Sequence, residues 1–149
     1  MNIKEELYNA CCAYVIKKEK TVKDIISSNQ KALQSETKSS AGDKHETGRA
    51  MLQLEMEKAS QQIAVVAAMK ETLAKVNFNT TNKIVSLGSL VTTNLANYYF
   101  AVGAGQILIN DNMYFAISVA SPIGSLLLGK QQGDSVLFNG KNIIIKHVE

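Results

Sequence analysis

The chain of 149 residues is short of aromatic residues and has no long apolar run. It has no tryptophan, four phenylalanines and five tyrosines, which counts against a pocket for a proline-containing peptide. No apolar run approaches the ~20 residues that span a bilayer. The first six residues, Met1 to Glu6, contain no apolar stretch followed by a cleavage site, so we do not expect secretion.

Cysteine and histidine are also scarce. The two cysteines, Cys11 and Cys12, are adjacent and would point about 100° apart on a helix, which suits neither a disulfide nor a shared metal. We therefore expect a reduced, cytoplasmic protein without a Cys-His nucleophile. His45 and His147 have no zinc-like spacing and no further ligands. Glycine forms no phosphate loop.

Charge is modest and unevenly distributed. The net charge of +3 does not by itself predict nucleic-acid binding, although Lys17, Lys18, Lys20 and Lys23 form a basic run. Residues 1–76 carry 12 basic and 10 acidic side chains, and residues 77–149 carry four and three. The first part therefore has the composition of exposed helices, and the second is apolar and lightly charged.

Two long helices are predicted in the first part. Residues 3–38 contain no glycine or proline, and a second helical run covers residues 43–76. Their apolar positions alternate by three and four residues, as on a helix that packs against one partner. In the first helix they are Ile3, Leu7, Ala10, Tyr14, Val22, Ile25 and Ala32; in the second they are Leu52, Met56, Ala59, Ile63, Val66, Met69 or Lys70, Leu73 and Val76. Serine, threonine and glycine between the runs predict an antiparallel helical hairpin.

The second part has the shorter period of strands. Strands are predicted near residues 84–92, 98–102, 113–118, 135–138 and 142–146, with Asn139-Gly140 as a hairpin turn. Ser121, Pro122 and Gly129 predict the cap, the first turn and the stop of one short helix. The fold class is therefore α+β: a long helical hairpin, then a small antiparallel sheet with one helix.

Two acids lie at the turn of the predicted hairpin. Asp43 and Glu46 suit a helix cap and first turn, in a variant of the capping box. They would also share one face of the helix. Two carboxylates do not hold Mg²⁺ tightly alone, but they can complete a metal site that a partner enzyme half supplies.

Two stretches resemble the Gre family of bacterial transcript-cleavage factors. Gly42–Glu46 reads Gly-Asp-Lys-His-Glu where the family tip reads Gly-Asp-x-Ser-Glu, and Ser118–Asp134 is similar to the family's C-terminal signature. The resemblance implies an antiparallel coiled coil over residues 1–76 and an FKBP-like domain over residues 77–149. Beyond Glu46 the tip departs from the family, because Thr47, Arg49 and Ala50 stand where it has Asn, Glu and Tyr.

The resemblance also implies a partner and a mechanism. The protein would bind the bacterial RNA polymerase core, among the RNA and DNA of the elongation complex, and insert its coiled coil into the secondary channel. Asp43 and Glu46 would help hold the polymerase Mg²⁺ during hydrolysis of backtracked RNA. The protein would have no cofactor of its own, no independent catalysis and no membrane partner. Arg49, Ser121 and Pro122 are candidate contacts with the polymerase.

Three alternatives stay open at this point. The changed tip is compatible with a channel-binding regulator of transcription that does not stimulate cleavage. An FKBP-like domain is also compatible with a peptidyl-prolyl isomerase that carries a helical arm. The third alternative is a helical-hairpin interaction module without a polymerase role.

Overall fold

The computed structural model describes the backbone of residues 2–38 and 42–149 and the side chains of residues 2–35 and 47–149. Within this part, two long helices, α1 (Ile3–Lys38) and α2 (Gly42–Ala74), precede six strands and a short helix. The later elements are β1 Leu90–Thr93, β2 Asn97–Phe100, β3 Gly105–Ile109, β4 Asn112–Ile117, α3 Pro122–Leu127, β5 Ser135–Phe138 and β6 Lys141–Val148. The predicted α+β class, a helical hairpin followed by a sheet with one helix, is confirmed.

The chain divides into two compact units. Met1–Tyr14 and Lys70–Glu149 form the sheet unit, and Val15–Met69 form the hairpin unit. The sheet unit thus includes the start of α1 and the end of α2. The predicted domain boundary after residue 76 follows the change from helix to strand, and as a division between domains it stays a prediction. None of the described helices has a stretch long and apolar enough to cross a bilayer.

The seam of α2 follows the predicted positions. The predicted positions from Leu52 to Leu73, with Met69 rather than Lys70, are buried or half-buried, and Ala59, Val66 and Leu73 are the buried ones. Their spacing of seven residues returns to the same side of a helix after two turns, which keeps one stripe covered along its length. The prediction from apolar periodicity is therefore confirmed for α2.

The seam of α1 matches the prediction in part. Leu7 and Val22 are buried as predicted, but Cys11 and Val15 are also buried, whereas Tyr14 is 37% exposed and Ile25 is 44% exposed. The buried positions keep the seven-residue spacing, from Val15 to Val22 and on to Asn29, which is 7% exposed. The prediction followed apolar character, so it missed Cys11 and Asn29, which place a thiol and an amide in the stripe.

The sheet has the strand order β3-β4-β2-β1-β6-β5. Four neighbouring pairs are antiparallel, but β2 and β4 are parallel, with Tyr98 opposite Phe115. The parallel pair arises because β3 follows β2 along the chain and lies at the edge, so that β4 returns between them. The predicted sheet was antiparallel and had no strand between residues 102 and 113, so β3 and the parallel pair correct it.

Two tight turns depend on residues that tolerate positive φ. Asn139 and Gly140 have φ of 51° and 77° and join β5 to β6, as predicted. Asn110 and Asp111 have φ of 51° and 64° and join β3 to β4. Positive φ at both central residues is the mark of a type I′ hairpin turn, whose twist matches that of the strands.

Helix α3 begins and ends as predicted. The Ser121 hydroxyl oxygen accepts a hydrogen bond from the Gly124 backbone N–H at 3.1 Å, and Pro122 occupies the first turn. Gly129, with φ of 82°, follows the last turn. The fully buried side chain of Leu127 joins the core of the sheet unit, whose other members are Val85, Val91, Phe100, Ile143, Ile145 and Val148. Burying a side chain of this size stabilises a fold by roughly 1.5–3 kcal/mol.

Gly124 is required by close packing against the chain that precedes α3. A Cβ at this position would collide with the Ser118 carbonyl oxygen and lie 2.7 Å from the Ser121 hydroxyl oxygen. The same carbonyl accepts the Ser121 hydroxyl proton at 2.7 Å, so it has little freedom to move.

We expect Gly124→Ala to lower the free energy of unfolding by about 1–3 kcal/mol, the usual cost of forcing extra atoms into a packed site. Gly103→Ala is the matched control, because nothing lies within 4 Å of a Cβ there and its φ is outside the left-handed region. Urea unfolding of both variants measures the difference. Equal stability of the two variants would contradict the close contact.

Candidate functional site

The predicted tip acids lie at the start of α2. The helix begins at Gly42, so positions 43 and 46 belong to its first turns. The side chains of Asp43, His45 and Glu46 lie outside the described residues, and so do the predicted capping bonds. The bounds of the two helices show that only residues 39–41 separate the end of α1 from the start of α2.

Arg49 is the predicted partner contact nearest to those acids. Its side chain is exposed on α2, three residues after Glu46. Residues three apart on a helix are neighbours on one face, so Arg49 follows the position of Glu46 by one turn. An exposed guanidinium offers a planar set of donors that suits phosphate or carboxylate groups.

Ser121 and Pro122, the other predicted contacts, form the start of α3. The Ser121 hydroxyl accepts from Gly124 and donates to the Ser118 carbonyl, and its own carbonyl accepts the Ser125 hydroxyl proton at 2.7 Å. These hydrogen bonds explain why a serine is found at position 121 without reference to a partner protein. Pro122 is exposed, and a role of either residue in partner binding stays a prediction.

A groove in the hairpin unit was not predicted. It has a volume of about 770 Å³ and contains Val22, Ile25, Asn29 and Ala59 among its lining residues. The side-chain nitrogen of Asn29, Nδ2, is buried and has no hydrogen-bond partner among the described residues. An unpaired buried amide costs free energy of folding. Asn29 therefore makes the hairpin unit less stable than an apolar residue would at the same seam position. The seven-residue spacing from Val15 to Val22 was the signal that could have predicted burial of Asn29.

A cluster of thiols and phenols lies within the sheet unit. Cys11 and Tyr99 are fully buried, and the Tyr99 hydroxyl has no hydrogen-bond partner among the described residues. Tyr8 donates its hydroxyl proton to the Leu73 carbonyl at 3.1 Å, and its ring contacts that of Phe78 at a tilt of 37° with the centroids 5.2 Å apart. The helix start is thereby tied to the chain around residues 73–78.

Burial makes the Cys11 thiol chemically inert. Desolvation raises the pKa of Cys11 to about 11, the neighbouring Cys12 raises it as well, and a hydrogen bond from the Val102 backbone acts in the opposite direction. Desolvation followed by the nearby Cys11 also raises the pKa of Tyr99. A thiol that stays protonated is a poor nucleophile. Cys11 is therefore a packing residue.

The described side chains do not assemble a metal site. No three histidine, cysteine, aspartate or glutamate side chains converge among those that the structure describes. The aromatic side chains of residues 77–149 are buried or half-buried: Phe78, Tyr98, Tyr99, Phe100, Tyr114, Phe115 and Phe138. They are used in packing, and none of them is an exposed wall for a peptide.

Comparison of the chain with protein-family models gave no match, and comparison with curated proteins also gave none.

Asn29→Leu should raise the free energy of unfolding by about 1 kcal/mol or more, because it removes an unpaired buried donor and adds apolar contact in the seam. Gln30→Leu is the control, since Gln30 is exposed on the next position of α1. Thermal or urea unfolding measures both. A loss of stability in Asn29→Leu, with Gln30→Leu unchanged, would show that the amide is paired in solution.

The Cys11 thiol should contribute a pH-dependent part of stability. Its pKa is raised in the folded state from an ordinary value of 9.0 to about 11, so this contribution is complete below pH 9 and is lost as the pH rises through about 11. We expect the stability advantage of the wild type over Cys11→Ala to shrink by about 2 kcal/mol between pH 8 and pH 11.

The matched control is Leu7→Ala, which removes a fully buried side chain that has no titratable group from the same helix. Its difference from the wild type should stay constant over the same pH range in urea unfolding. A constant difference for Cys11→Ala as well would refute the raised pKa.

Proposed function

We propose that this protein is a transcription factor that binds RNA polymerase, inserts its helical hairpin into the secondary channel and stimulates cleavage of backtracked RNA. The observation that carries the proposal is the three-residue connection between two long helices, directly followed by Asp43 and Glu46. The resemblance of Gly42–Glu46 and Ser118–Asp134 to the Gre family supports it. The α+β order of hairpin and sheet is the order that the family resemblance requires.

The length of the hairpin helices supports insertion into a channel. Within the hairpin unit α1 runs from Val15 to Lys38 and α2 from Gly42 to Met69. At ~1.5 Å per residue these segments are about 36 Å and 42 Å long. Helices of this length can carry residues at their connection deep into a narrow channel.

The acids fit the chemistry that the proposal gives them. Mg²⁺ prefers carboxylate oxygens and keeps several waters, and two carboxylates from one helix leave most of its positions to a second protein. When bound in the polymerase, the ion supplies an activated water and stabilises charge on the phosphate. Asp43 and Glu46 would supply oxygen ligands to this ion. Their two negative charges would hold it only together with acidic residues of the polymerase. The protein alone would not hydrolyse RNA.

Backtracked elongation complexes test this proposal. We expect the wild type to shorten the RNA in stalled complexes of the RNA polymerase core in the presence of Mg²⁺, and Asp43→Asn or Glu46→Gln to lower the rate by about tenfold or more. These isosteric variants remove charge and keep size. Glu57→Gln, an exposed acid further along α2, is the matched control and should cleave like the wild type.

Binding to the polymerase is measured in parallel with each variant. Tight binding with impaired cleavage assigns the acids a role in chemistry. Equal cleavage by the wild type and both tip variants, with binding intact, would end the catalytic part of the proposal.

A second candidate is a regulator that occupies the channel without stimulating cleavage. The exposed Arg49, one turn after Glu46, favours it, because it places positive charge where the family has an acid. Such a regulator would compete with a Gre factor for the polymerase and leave backtracked RNA intact. Failure to bind the polymerase at all would remove both candidates.

A peptidyl-prolyl isomerase has less support. The aromatic side chains that a proline pocket would need are packed in the sheet unit. A peptide isomerisation assay with the full chain at ordinary enzyme concentration decides this alternative. A helical-hairpin module without a polymerase role would be inert in all of these assays.

A further inference from the structure

A polar cleft lies within the sheet unit, away from the residues assigned above. It has a volume of about 320 Å³ and is lined by Thr81, Lys83, Gln131, Gln132, His147 and Val148. These residues come from three places: the segment before β1, the turn after α3 and the end of β6. They are distant in sequence, so the cleft exists only in the folded chain.

Backbone hydrogen bonds hold the walls of the cleft. Ile84 and Gln131 form an isolated antiparallel bridge, and the Val85 N–H donates to the Lys130 carbonyl at 2.8 Å. The Gln131 N–H donates to the Asp134 carboxylate at 2.9 Å, which fixes the turn. His147 is opposite Thr92 in the pairing of β6 with β1. The lining side chains therefore start from a firm backbone.

The lining side chains offer several hydrogen-bond donors. They comprise an ammonium, two carboxamides, a hydroxyl and an imidazole, and none of them is an acid. Two described acids lie beside the lining residues, and both have partners: the Asp134 carboxylate accepts from the Gln131 N–H at 2.9 Å, and Glu149 Oε1 is 3.8 Å from His147 Nε2. The chemistry of the cleft therefore favours an anion with several acceptor oxygens.

A further cation, Lys4, contacts two residues that adjoin the lining of this cleft. The Lys4 side chain, 9% exposed, donates from Nζ to the Thr80 carbonyl at 2.8 Å and to the Glu149 backbone oxygen at 3.3 Å. Thr80 precedes Thr81 and Glu149 follows Val148, so this ammonium lies near the cleft and offsets part of the negative charge of Glu149. It also ties the start of α1 to the walls.

We propose that this cleft binds a small phosphate-bearing anion, with Lys83 and His147 contacting the phosphate and the glutamine amides and Thr81 completing its hydrogen bonds. Lysine binds phosphate as a point charge, and amides and hydroxyls donate to the remaining oxygens. The volume is at the lower end of ligand pockets, which suits pyrophosphate or one nucleotide better than a polymer. This site does not depend on the proposed role in transcription.

Calorimetric titration of the full chain with inorganic pyrophosphate tests the proposal. We expect saturable one-to-one binding, weakened about tenfold or more by Lys83→Gln and by His147→Gln. Lys141→Gln is the matched control, because it removes the same charge from an exposed lysine at the other end of β6. It should leave the affinity within about twofold of the wild type.

The source of the phosphate is separated by two further titrations. Adenosine monophosphate that binds more tightly than pyrophosphate, with adenosine inactive, assigns a nucleotide; pyrophosphate that binds more tightly assigns an inorganic anion. Adenosine that binds as well as its monophosphate would overturn the proposal. So would a lack of binding at about 10 mM pyrophosphate, or equal weakening by Lys83→Gln and Lys141→Gln.

Discussion

The burial of one stripe on each long helix is the constraint on which the proposed function depends. Ala59 and Val66 on α2, and Val15 and Val22 on α1, are the buried apolar residues among those described in the hairpin unit. Neither stripe is stable in water alone, because isolated helices gain little without an apolar partner surface. The two stripes belong to the two helices of the hairpin, and α2 begins at Gly42. Asp43 and Glu46 therefore lie in the first turns of α2.

The motif around the only proline has a physical explanation that is independent of any partner. Ser121 caps α3, Gly124 has no side chain that would collide with the Ser118 carbonyl, and Leu127 packs in the core of the sheet unit. Each residue type follows from a contact that another type would lose. The likeness of this stretch to a family signature therefore bears on the fold, whereas the proposed activity depends on the acids near residue 43.

The sequence predicted the elements that local signals determine and missed those that distant contacts determine. The helix spans, the α2 seam, the cap at Ser121 and the Asn139-Gly140 turn follow from periodicity and local backbone preference. The predicted seam of α1 was wrong in part because Asn29 is a polar residue at a buried position. The parallel pairing of β2 with β4 depends on where β3 lies, and nothing local to either strand encodes that. The cleft around Lys83 joins three distant segments, so spacing gave no sign of it.

The central claim is that the start of α2 reaches the RNA in the polymerase active site. A photoreactive amino acid at position 44 tests it directly, with the same group at position 141 as the reference, in complexes stalled on backtracked RNA. The account predicts a crosslink from position 44 to the 3′ part of the RNA and none from position 141. Crosslinks from position 44 only to the outer surface of the polymerase, or to no component of the complex, would contradict it.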